Sequence, residues 1–528
     1  VKDLSAVPLL FFKNIKFPHQ AKSWKDDVNG QWDFGNKFLF HSGNPAYKMI
    51  FWARIPMILI LILLAFYVFR WARELFGNKT ALLALFLVSF SPTLIAHARL
   101  VTTDVGAAAG MFIGAYYFIR FLKEPSRKNI ILSGIAFGLA ELAKFSTILL
   151  FPFFGLLIIF WAYAKSSNFK SFLKIFWKYL LLTIVVTLIA YTIVWAFYLY
   201  HTWNYPPERQ VRDTKLILES FPSRLLADAL IWMADKPIIR AISYYLLGVF
   251  MVIQRASGGN TTYFLGQVSA AGWKIFFPIV YIIKQPLTFI ILLIASILYA
   301  AWSIKKPLWE KPIKRFKSWI GLHFPEFAML LAIAIYWAVS LKSNLNIGVR
   351  HLIPVFPFTI LLVSAATIKW LKPPLLLPKK ILLSGLLIWQ AISVISVCPH
   401  FLAYFNELVG GPNNGYIYTV DSNLDWGQDL KRLNQWLEKN KINKIYVDYF
   451  GGSDTKYYLG DKFLPWWGTR DPKELPQGSY LAVSATFLQG GRGEPVSGFN
   501  GETGYYNWLY QYHPVAKIGY SIFVYHIN

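Results

Sequence analysis

The chain has 528 residues, of which 55% are hydrophobic, 18% aromatic and only 15% charged. Soluble domains are about 45–50% apolar and about 25% charged, so this composition argues against a soluble protein and indicates a membrane protein. The net charge of +26 would suit nucleic-acid binding, but the Lys and Arg residues fall largely in short loops between apolar segments, which is typical of membrane topology. The single cysteine, Cys398, excludes an intrachain disulfide and a thiolate metal cluster.

Ten apolar segments are long enough to span a bilayer, which takes roughly 17–25 residues. They lie at 49–70, 80–96, 104–122, 129–145, 147–164, 176–200, 284–303, 325–342, 352–370 and 380–399. Only Lys144 and Ser146 interrupt the fourth and fifth segments. The sequence therefore predicts a polytopic α-helical membrane protein with about ten spans.

The loops between these segments alternate in charge. Every second loop is short and basic; these loops contain Arg70, Arg73 and Lys79; Arg120, Lys123, Arg127 and Lys128; Lys165, Lys170, Lys174 and Lys178; Lys305, Lys306, Lys311, Lys314, Arg315 and Lys317; and Lys369, Lys372, Lys379 and Lys380. Short cytoplasmic loops carry an excess of positive residues, so we expect these loops to face the cytoplasm and both ends of the sequence to lie outside.

Three predicted extracytoplasmic segments are large. Residues 1–48 form a first outer loop, and residues 201–283 form a long loop within a transmembrane domain of 49–399. Residues 400–528 form a C-terminal domain, in which the apolar patterns predict one helix and three strands. The predicted elements are a helix near 427–440 and strands near 444–450, 479–488 and 516–526, which indicates a small α/β domain.

Four predicted outer turns carry ionisable residues at membrane depth, where a charge is costly and is therefore a candidate for function. The candidate residues are Arg54, His97, Arg99, Asp104, Lys144, Arg350 and His351. A lysine can bind phosphate as a point charge, and an arginine can bind it through two parallel hydrogen bonds. The set is consistent with a site for a lipid-linked phosphate or pyrophosphate.

These residues also have purely structural interpretations. Arg54 would be an interfacial anchor that reaches the headgroups. Arg99 would pair with Asp104 to close its loop, and Glu141 would pair with Lys144 on one helical face, since residues three apart are neighbours. The sequence contains no Walker loop, dinucleotide fingerprint, zinc-ligand spacing or nucleophile elbow, so a nucleotide-sugar donor has no evident site.

Eight short motifs follow one another along nearly the whole chain. Each motif alone is weak evidence for a family, but the ordered set is fairly specific. They lie at 53–56, 71–77, 91–104, 272–278, 284–286, 348–354, 404–407 and 421–430. In these motifs the sequence resembles the prokaryotic form of the dolichyl-phosphate-mannose–protein mannosyltransferase family, which has the C-type glycosyltransferase fold (GT-C).

The resemblance implies an enzyme that transfers a sugar from a polyprenyl-phosphate donor to a protein, lipid or glycan acceptor, with inversion at the anomeric carbon. It implies mannosyltransferase-like activity at the outer face of the plasma membrane of a prokaryote, and no nucleic-acid partner. No cofactor is specified, and a divalent metal is left open. By the same resemblance Asp104 is catalytic, and the remaining candidates bind the donor phosphate, namely Arg54, Arg99, Lys144, Arg350, His351 and, as a further candidate, His97.

In the resembled family, the general base is an aspartate, usually in an Asp-Glu pair, in the loop that follows one further helix. The acids within 1–48 are Asp3, Asp26, Asp27 and Asp33, and none of them stands in such a pair. We therefore expect the natural chain to extend by roughly 40–80 residues before Val1, with an eleventh span and the base.

Two other functions fit the same residues. One is a transporter or flippase for a polyprenyl-linked sugar, although the sequence lacks the paired Gly/Pro-broken spans typical of such proteins. The other is a non-catalytic relative that serves as a structural subunit of a membrane assembly. The motif Asp421–Asp429 has no assigned chemistry, and we interpret it as a turn with a helix N-cap before Leu430.

Overall fold

The structure is a computed structural model, which describes residues 1–304, 310–371, 373 and 375–528. Three of the predicted cytoplasmic cations, Lys305, Lys306 and Lys372, lie outside the described residues.

Most of the described chain is helical. The first ten helices are α1 (Lys2–Ala6), α2 (Lys22–Lys25), α3 (Gln31–Asn36), α4 (Ala46–Phe76), α5 (Asn78–Ser89), α6 (Pro92–Ala98), α7 (Asp104–Lys123), α8 (Arg127–Ala143), α9 (Leu150–Lys165) and α10 (Phe169–Thr202). The remaining helices are α11 (Pro207–Ile217), α12 (Arg224–Met233), α13 (Arg240–Gly258), α14 (Phe276–Lys284), α15 (Leu287–Trp302), α16 (Pro312–Leu322), α17 (Phe324–Lys342), α18 (Phe356–Trp370), α19 (Leu376–Ile395), α20 (Leu430–Lys439), α21 (Thr455–Leu459) and α22 (Ala485–Gly490). Two 3₁₀ turns, Phe145–Leu149 and Val349–Val355, lead into α9 and α18.

Seven helical segments within the described residues are long and apolar enough to cross a membrane, and there are up to nine if each of two bent helix pairs counts as one span. These nine coincide in position with nine of the predicted spans. The other predicted span, 129–145, corresponds to α8, whose 17 residues lie at the lower limit of about 17–25 for a span. The predicted fold class is confirmed, while the count of ten spans is not.

Proline bends two of the spans near their ends. Pro92 begins α6, which meets α5 at 60°, and Pro286 separates α14 from α15, which meet at 115°. Proline has no backbone N–H and cannot continue a hydrogen-bonded helix, so each bend lies at a proline. The shorter helix of the first pair, α6, carries His97, and the shorter helix of the second pair, α14, ends at Lys284.

Helices α7, α8 and α10 pack closely because their contacts contain small residues. A Cβ atom added at Gly110 of α7 would lie 2.9 Å from the Cα atom of Ala140 in α8. One added at Gly138 of α8 would lie 2.7 Å from the carbonyl oxygen of Ala190 in α10. Such close approach is typical of helix pairs in membranes. Since α7 and α8 run in opposite directions, the start of α7 lies beside the end of α8.

The C-terminal region contains the five-stranded sheet that the sequence indicated in part. The strands of the protein are β1 (Thr262–Phe264), β2 (Gln267–Ser269), β3 (Ile445–Asp448), β4 (Phe463–Pro465), β5 (Tyr480–Ser484), β6 (Glu494–Pro495), β7 (Ala516–Ile518) and β8 (Ile522–His526). The larger sheet has the order β4-β3-β5-β8-β7, in which β3 is parallel to β4 and β5, and β8 is antiparallel to β5 and β7. Helix α20 packs on this sheet through its apolar face.

The predicted elements of this region are present, with two differences. The predicted strand at 479–488 ends at Ser484 and continues as α22. The predicted strand at 516–526 is a hairpin, because Gly519 and Tyr520 both have positive φ and turn the chain. A second, three-stranded sheet has the order β1-β2-β6, so a strand from the 201–283 segment pairs directly with one from the C-terminal region.

Candidate functional site

Asp104 is the first residue of α7 and is only 1% exposed. Lys144 donates a hydrogen bond from Nζ to Asp104 Oδ1 at 2.7 Å, and Arg350 Nη1 lies 3.6 Å from Oδ2. Among the described residues, Oδ2 accepts no hydrogen bond. A buried carboxylate is tolerated when it is paired with cations, so the two basic side chains stabilise Asp104 and it holds them in place.

Three separate segments contribute this triad of Asp104, Lys144 and Arg350. Asp104 begins α7, Lys144 directly follows α8, and Arg350 lies in the 3₁₀ turn that leads into α18. The antiparallel packing of α7 against α8 brings the first two together although 40 residues separate them. The N-terminus of α7 also favours a negative charge at Asp104 through the helix dipole.

The side chain of Arg350 is held from three directions. Besides Asp104, its Nε donates a hydrogen bond to Ser422 Oγ at 3.1 Å, and its guanidinium carbon lies 4.5 Å from the centre of the Trp426 ring. Ser422 and Trp426 belong to residues 421–429, which we call the 421–429 loop. This loop of the C-terminal region therefore forms part of the site.

Two histidines line the same site. His97 is 1% exposed, its ring centre lies 5.8 Å from that of Trp426, and its Nδ1 makes no hydrogen bond to the described residues. His351 Nε2 is likewise buried without a partner in the described part of the chain. Both rings interact electrostatically with Asp104. Buried polar atoms without partners are rare in proteins, and their grouping here is typical of a site that binds a polar ligand.

Lys284 is a buried lysine that was not among the site residues predicted from the sequence. It is 3% exposed, and its Nζ donates hydrogen bonds to the carbonyl oxygens of Leu402 at 2.8 Å and Asn423 at 2.6 Å. The ammonium group lies 4.2 Å from the centre of the Phe405 ring. No carboxylate of the described chain forms an ion pair with it. Its position at the end of the apolar segment 276–283 was a signal that could have marked it.

Basic and acidic side chains meet at the site. Lys144, Lys284 and Arg350 lie in it, whereas Asp104 is the carboxylate that contacts two of them. Asp421 also interacts with Arg350, and burial raises the pKa of this carboxyl to about 6. Two cations side by side, Lys144 and Arg350, can attract an anion.

An apolar groove begins beside this charged site. Its cavity volume is about 690 Å³, and Gly106 and Ala143, close neighbours in sequence of Asp104 and Lys144, line it. Other lining residues come from α4, α7 and α8, namely Ile60, Leu63, Ala109, Ile113, Leu132, Ile135 and Leu139, and the first residues of the sequence, Val1, Leu4 and Val7, line it as well. We call this cavity the α4–α7–α8 groove. A cationic site at the end of an apolar groove suits an amphiphile with an anionic headgroup.

Residues 47–195 match the family model of dolichyl-phosphate-mannose-protein mannosyltransferase. This match confirms the predicted resemblance. The apolar helices described above show, together with it, that the protein is an integral membrane protein. The matched segment contains His97, Asp104 and Lys144, whereas Lys284, Arg350 and His351 lie beyond it. No curated protein sequence matches the chain significantly.

Solved structures of two glycosyltransferases are similar to the chain at low identity. ArnT from Cupriavidus metallidurans bound to undecaprenyl phosphate is 12% identical, with a TM-score of 0.40, over 94% of this chain and 86% of ArnT. The archaeal oligosaccharyltransferase AglB from Archaeoglobus fulgidus, in complex with an inhibitory peptide and a dolichol-phosphate, is 12% identical, with a TM-score of 0.42. That match covers 84% of this chain and 60% of AglB, so the chain spans about three fifths of the length of AglB.

Arg54 and Arg99 lie close to each other, and neither of them contacts Asp104 directly. Arg99 donates a hydrogen bond from Nη1 to the carbonyl oxygen of Pro399 at 2.7 Å and interacts electrostatically with Arg432. Arg54 interacts electrostatically with Arg99. The structural interpretation in which Arg99 pairs with Asp104 is therefore wrong, because Asp104 pairs with Lys144.

Of two other structural interpretations from the sequence, the Glu141–Lys144 pair is wrong, whereas the helix that starts at Leu430 with Asp429 at its N-cap position is present without the capping hydrogen bond. Glu141 accepts a hydrogen bond from the hydroxyl of Tyr245 in α13, and Lys144 points to Asp104 instead of to Glu141. Asp429 occupies the N-cap position of α20 but makes no capping hydrogen bond, since Ser521 and Arg432 bind its carboxylate. The described residues contain no group of three or more His, Cys, Asp or Glu side chains arranged to hold a metal ion.

Proposed function

We propose that this protein is a membrane glycosyltransferase that transfers a sugar from a polyprenyl-phosphate-linked donor to a protein, lipid or glycan acceptor. The observation that carries the proposal is the buried triad of Asp104, Lys144 and Arg350 at the end of the α4–α7–α8 groove. The family match over 47–195 supports it, because the family takes sugars from a lipid-linked phosphate.

The charged part of the site and the adjoining groove suit different parts of the donor. Its phosphate would bind between Lys144 and Arg350, and part of its apolar chain would lie in the α4–α7–α8 groove. The arginine is suited to a bidentate contact with phosphate oxygens, and the lysine acts as a compact point charge. Burial makes both interactions stronger than they would be in water.

In the proposed reaction, the acceptor hydroxyl oxygen forms a bond to the anomeric carbon while the bond from that carbon to the donor phosphate oxygen breaks, and the hydroxyl proton passes to a general base or, through water, to the departing phosphate. Attack from the face opposite the phosphate inverts the configuration. The leaving polyprenyl phosphate gains negative charge as the bond breaks, and Lys144 and Arg350 stabilise that charge in the transition state. Asp104 holds both cations in position, and it is a catalytic candidate for this reason.

We propose that the site lies on the extracytoplasmic side of a prokaryotic inner membrane. Asp104 starts α7, whereas Arg120 and Lys123 lie in its last turn, so 20 residues or about 30 Å separate the two ends. Arg350 likewise precedes α18, and Lys369 lies near the end of that helix. The distribution of positive residues supports the basic ends as the cytoplasmic ones and the other face as the location of the site.

The proposal is tested with the purified full-length chain in lipid nanodiscs. Labelled synthetic polyprenyl-phosphate mannose is the donor, with a Ser/Thr-containing peptide, a glycan and a lipid as alternative acceptors. We expect release of polyprenyl phosphate together with transfer of the label to one acceptor. Lys144→Met should lower that rate by 100-fold or more, since a lost transition-state charge contact costs about 10²–10³ in rate.

The matched control is Lys128→Met, which removes an exposed lysine from a predicted cytoplasmic loop and should leave the rate unchanged. The alternatives give different results in proteoliposomes. A flippase would move the labelled donor across the bilayer without consuming it, and a structural subunit would neither move nor consume it. Either result would contradict the proposal.

A further inference from the structure

The 421–429 loop is joined to the membrane helices by hydrogen bonds of buried groups. Asn423 Oδ1 accepts from the backbone N–H of Val349 at 2.9 Å, and the backbone oxygen of Asn423 accepts from Lys284 Nζ at 2.6 Å. Ser422 Oγ donates to the backbone oxygen of Ile347 at 3.1 Å. Ser422 and Asn423 are both 0% exposed. The loop thus binds the turn that carries Arg350 on one side and the end of α14 on the other.

The loop approaches this turn closely at Gly348. A Cβ atom added at Gly348 would lie 2.5 Å from Ser422 Oγ and 3.2 Å from Asn423 Oδ1. Any side chain at position 348 would push Ser422 away from Arg350. The 421–429 loop and the turn that carries Arg350 therefore pack tightly against each other beside this arginine.

The conformation of the loop is fixed from within the C-terminal region. The carboxylate of Asp425 accepts from the backbone N–H groups of Thr486 at 3.1 Å and Gly427 at 3.4 Å, and Gln428 Oε1 accepts from the backbone N–H of Trp426 at 2.7 Å. Gly427 has a φ of +70°, a conformation that glycine adopts without strain. These contacts direct the Trp426 ring towards Arg350 and His97.

Trp426 does not have the environment of an ordinary core residue. It is only half-buried, and within the described chain no hydrogen bond forms at its indole N–H. Its ring contacts two charged or polar side chains of the site, Arg350 at 4.5 Å and His97 at 5.8 Å. Among the aromatic side chains, tryptophan forms the strongest cation–π pairs, and arginine is the cation most often found in them.

We infer that the C-terminal region completes the donor-phosphate site, with Trp426 and Ser422 as positioning residues that hold the Arg350 guanidinium in its phosphate-binding orientation. The inference rests on the proposed function. Arginine has many rotamers, and their loss on binding costs free energy unless the side chain is already ordered. The ring and the hydroxyl order Arg350 before the phosphate arrives, while Asp104 occupies only one end of the guanidinium.

The experiment measures the binding of a short-chain polyprenyl phosphate without sugar to the full-length chain in nanodiscs. Trp426→Leu should weaken its affinity about 3- to 30-fold, the range expected for one partly desolvated cation–π pair. Trp426→Phe keeps an aromatic face and should stay within about threefold of the wild type. Ser422→Ala should weaken binding in the same direction as Trp426→Leu, without a change of volume that could prevent folding.

A double-mutant cycle separates positioning of Arg350 from a general structural role. In an Arg350→Met background, Trp426→Leu should cause no further loss of affinity. The matched control is Trp467→Leu, which removes a cation–π pair with Arg470 in the same region, outside the site, and should leave affinity unchanged.

The outcomes distinguish this inference from the function on which it rests. If Trp426→Leu and Ser422→Ala bind like the wild type while Arg350→Met is weaker, the inference is overturned and the phosphate site stands. The inference is also overturned if Trp426→Leu causes the same loss with and without Arg350. If Arg350→Met itself binds polyprenyl phosphate like the wild type, the proposed phosphate site fails, and the inference fails with it.

Discussion

At the scale of single residues, the site is governed by the balance of buried charge. Asp104 is the carboxylate that faces Lys144 and Arg350, and each of these cations would be costly at its position without it. An incoming phosphate would add negative charge to the same cations. The carboxylate therefore stabilises the two cations and would compete with a phosphate for them.

Asp104→Asn should separate these two roles. The substitution keeps the shape of the side chain and removes its charge, so the cations lose the partner that aligns them and gain net attraction for phosphate. We expect transfer of sugar to fall by about 100-fold or more, with affinity for polyprenyl phosphate equal to or tighter than that of the wild type. Initial rates and equilibrium binding on purified protein measure the two quantities.

The control for this variant is Asp228→Asn, at an exposed ion pair with Arg224 on α12. It should change neither rate nor affinity. Wild-type turnover in Asp104→Asn would show that the charge is not needed for the reaction. Loss of phosphate binding in parallel with turnover would indicate a collapsed site.

At the scale of secondary structure, the distance between Asp104 and Lys144 depends on how closely α7 approaches α8. Gly110 permits that approach, since the nearest atom to an added Cβ belongs to the backbone of Ala140 and cannot move away alone. The two helices are consecutive and antiparallel, so a change in their separation displaces the ends that carry the site.

Gly110→Val should force the two helices apart. We expect destabilisation of about 1–3 kcal/mol from overpacking and a loss of transfer activity, both measured on purified protein by thermal unfolding and initial rates. Gly155→Val in α9 is the matched control, because an added Cβ there meets no atom within 4 Å. Equal effects of the two variants would show that close packing of α7 and α8 is not the cause.

The 421–429 loop contributes a pH dependence to the stability of the C-terminal region. Burial raises the pKa of Asp425 to about 7, above its ordinary value of 3.8. The folded protein therefore keeps a proton that the unfolded chain releases, so this contribution is complete below about pH 4 and is lost as the pH rises towards about 7. Asp421 and Asp448, whose pKa values burial raises to about 6, act with the same sign.

We therefore expect the unfolding temperature of the full-length protein, monitored by the near-ultraviolet circular dichroism of its aromatic residues, to fall between pH 5 and pH 8. The decrease should be smaller in Asp425→Asn, in which the buried group at this position no longer titrates. Asp471→Asn, at an exposed 3₁₀ turn of the same region, serves as the control and should keep the full pH dependence. An unchanged slope in Asp425→Asn would contradict the assignment.

At the scale of the whole molecule, the site residues and the C-terminal region share one end of the helical bundle. The single cysteine tests which side of the membrane that end faces, because Cys398 is exposed and lies three residues after the end of α19. A membrane-impermeant maleimide should label Cys398 in intact spheroplasts.

The control is a variant with Cys398→Ser and Lys128→Cys. Its cysteine lies in a predicted cytoplasmic loop, and we expect it to react only after permeabilisation. Labelling of the Lys128→Cys variant in intact spheroplasts, with protection of Cys398, would reverse the proposed orientation.

Local patterns in the sequence are enough to predict the class of the protein and most of its helices. Apolar length predicts spans because a helix must cover the hydrocarbon core with hydrogen-bonded backbone. The cost of a charge at membrane depth is enough to mark Asp104, Lys144 and Arg350 as candidates in the sequence. These are local properties of the chain, and they do not depend on which segments become neighbours.

Which charges meet depends on long-range packing. Asp104 pairs with Lys144 across 40 residues, and Arg350 binds Ser422 across 72 residues, because the packing of helices and the folding of the C-terminal region bring them together. Lys284 and Trp426 were not assigned from sequence for the same reason. A lysine near the end of an apolar segment and a tryptophan in a turn have many structural uses, and their part in the site depends on long-range contacts that no local pattern encodes.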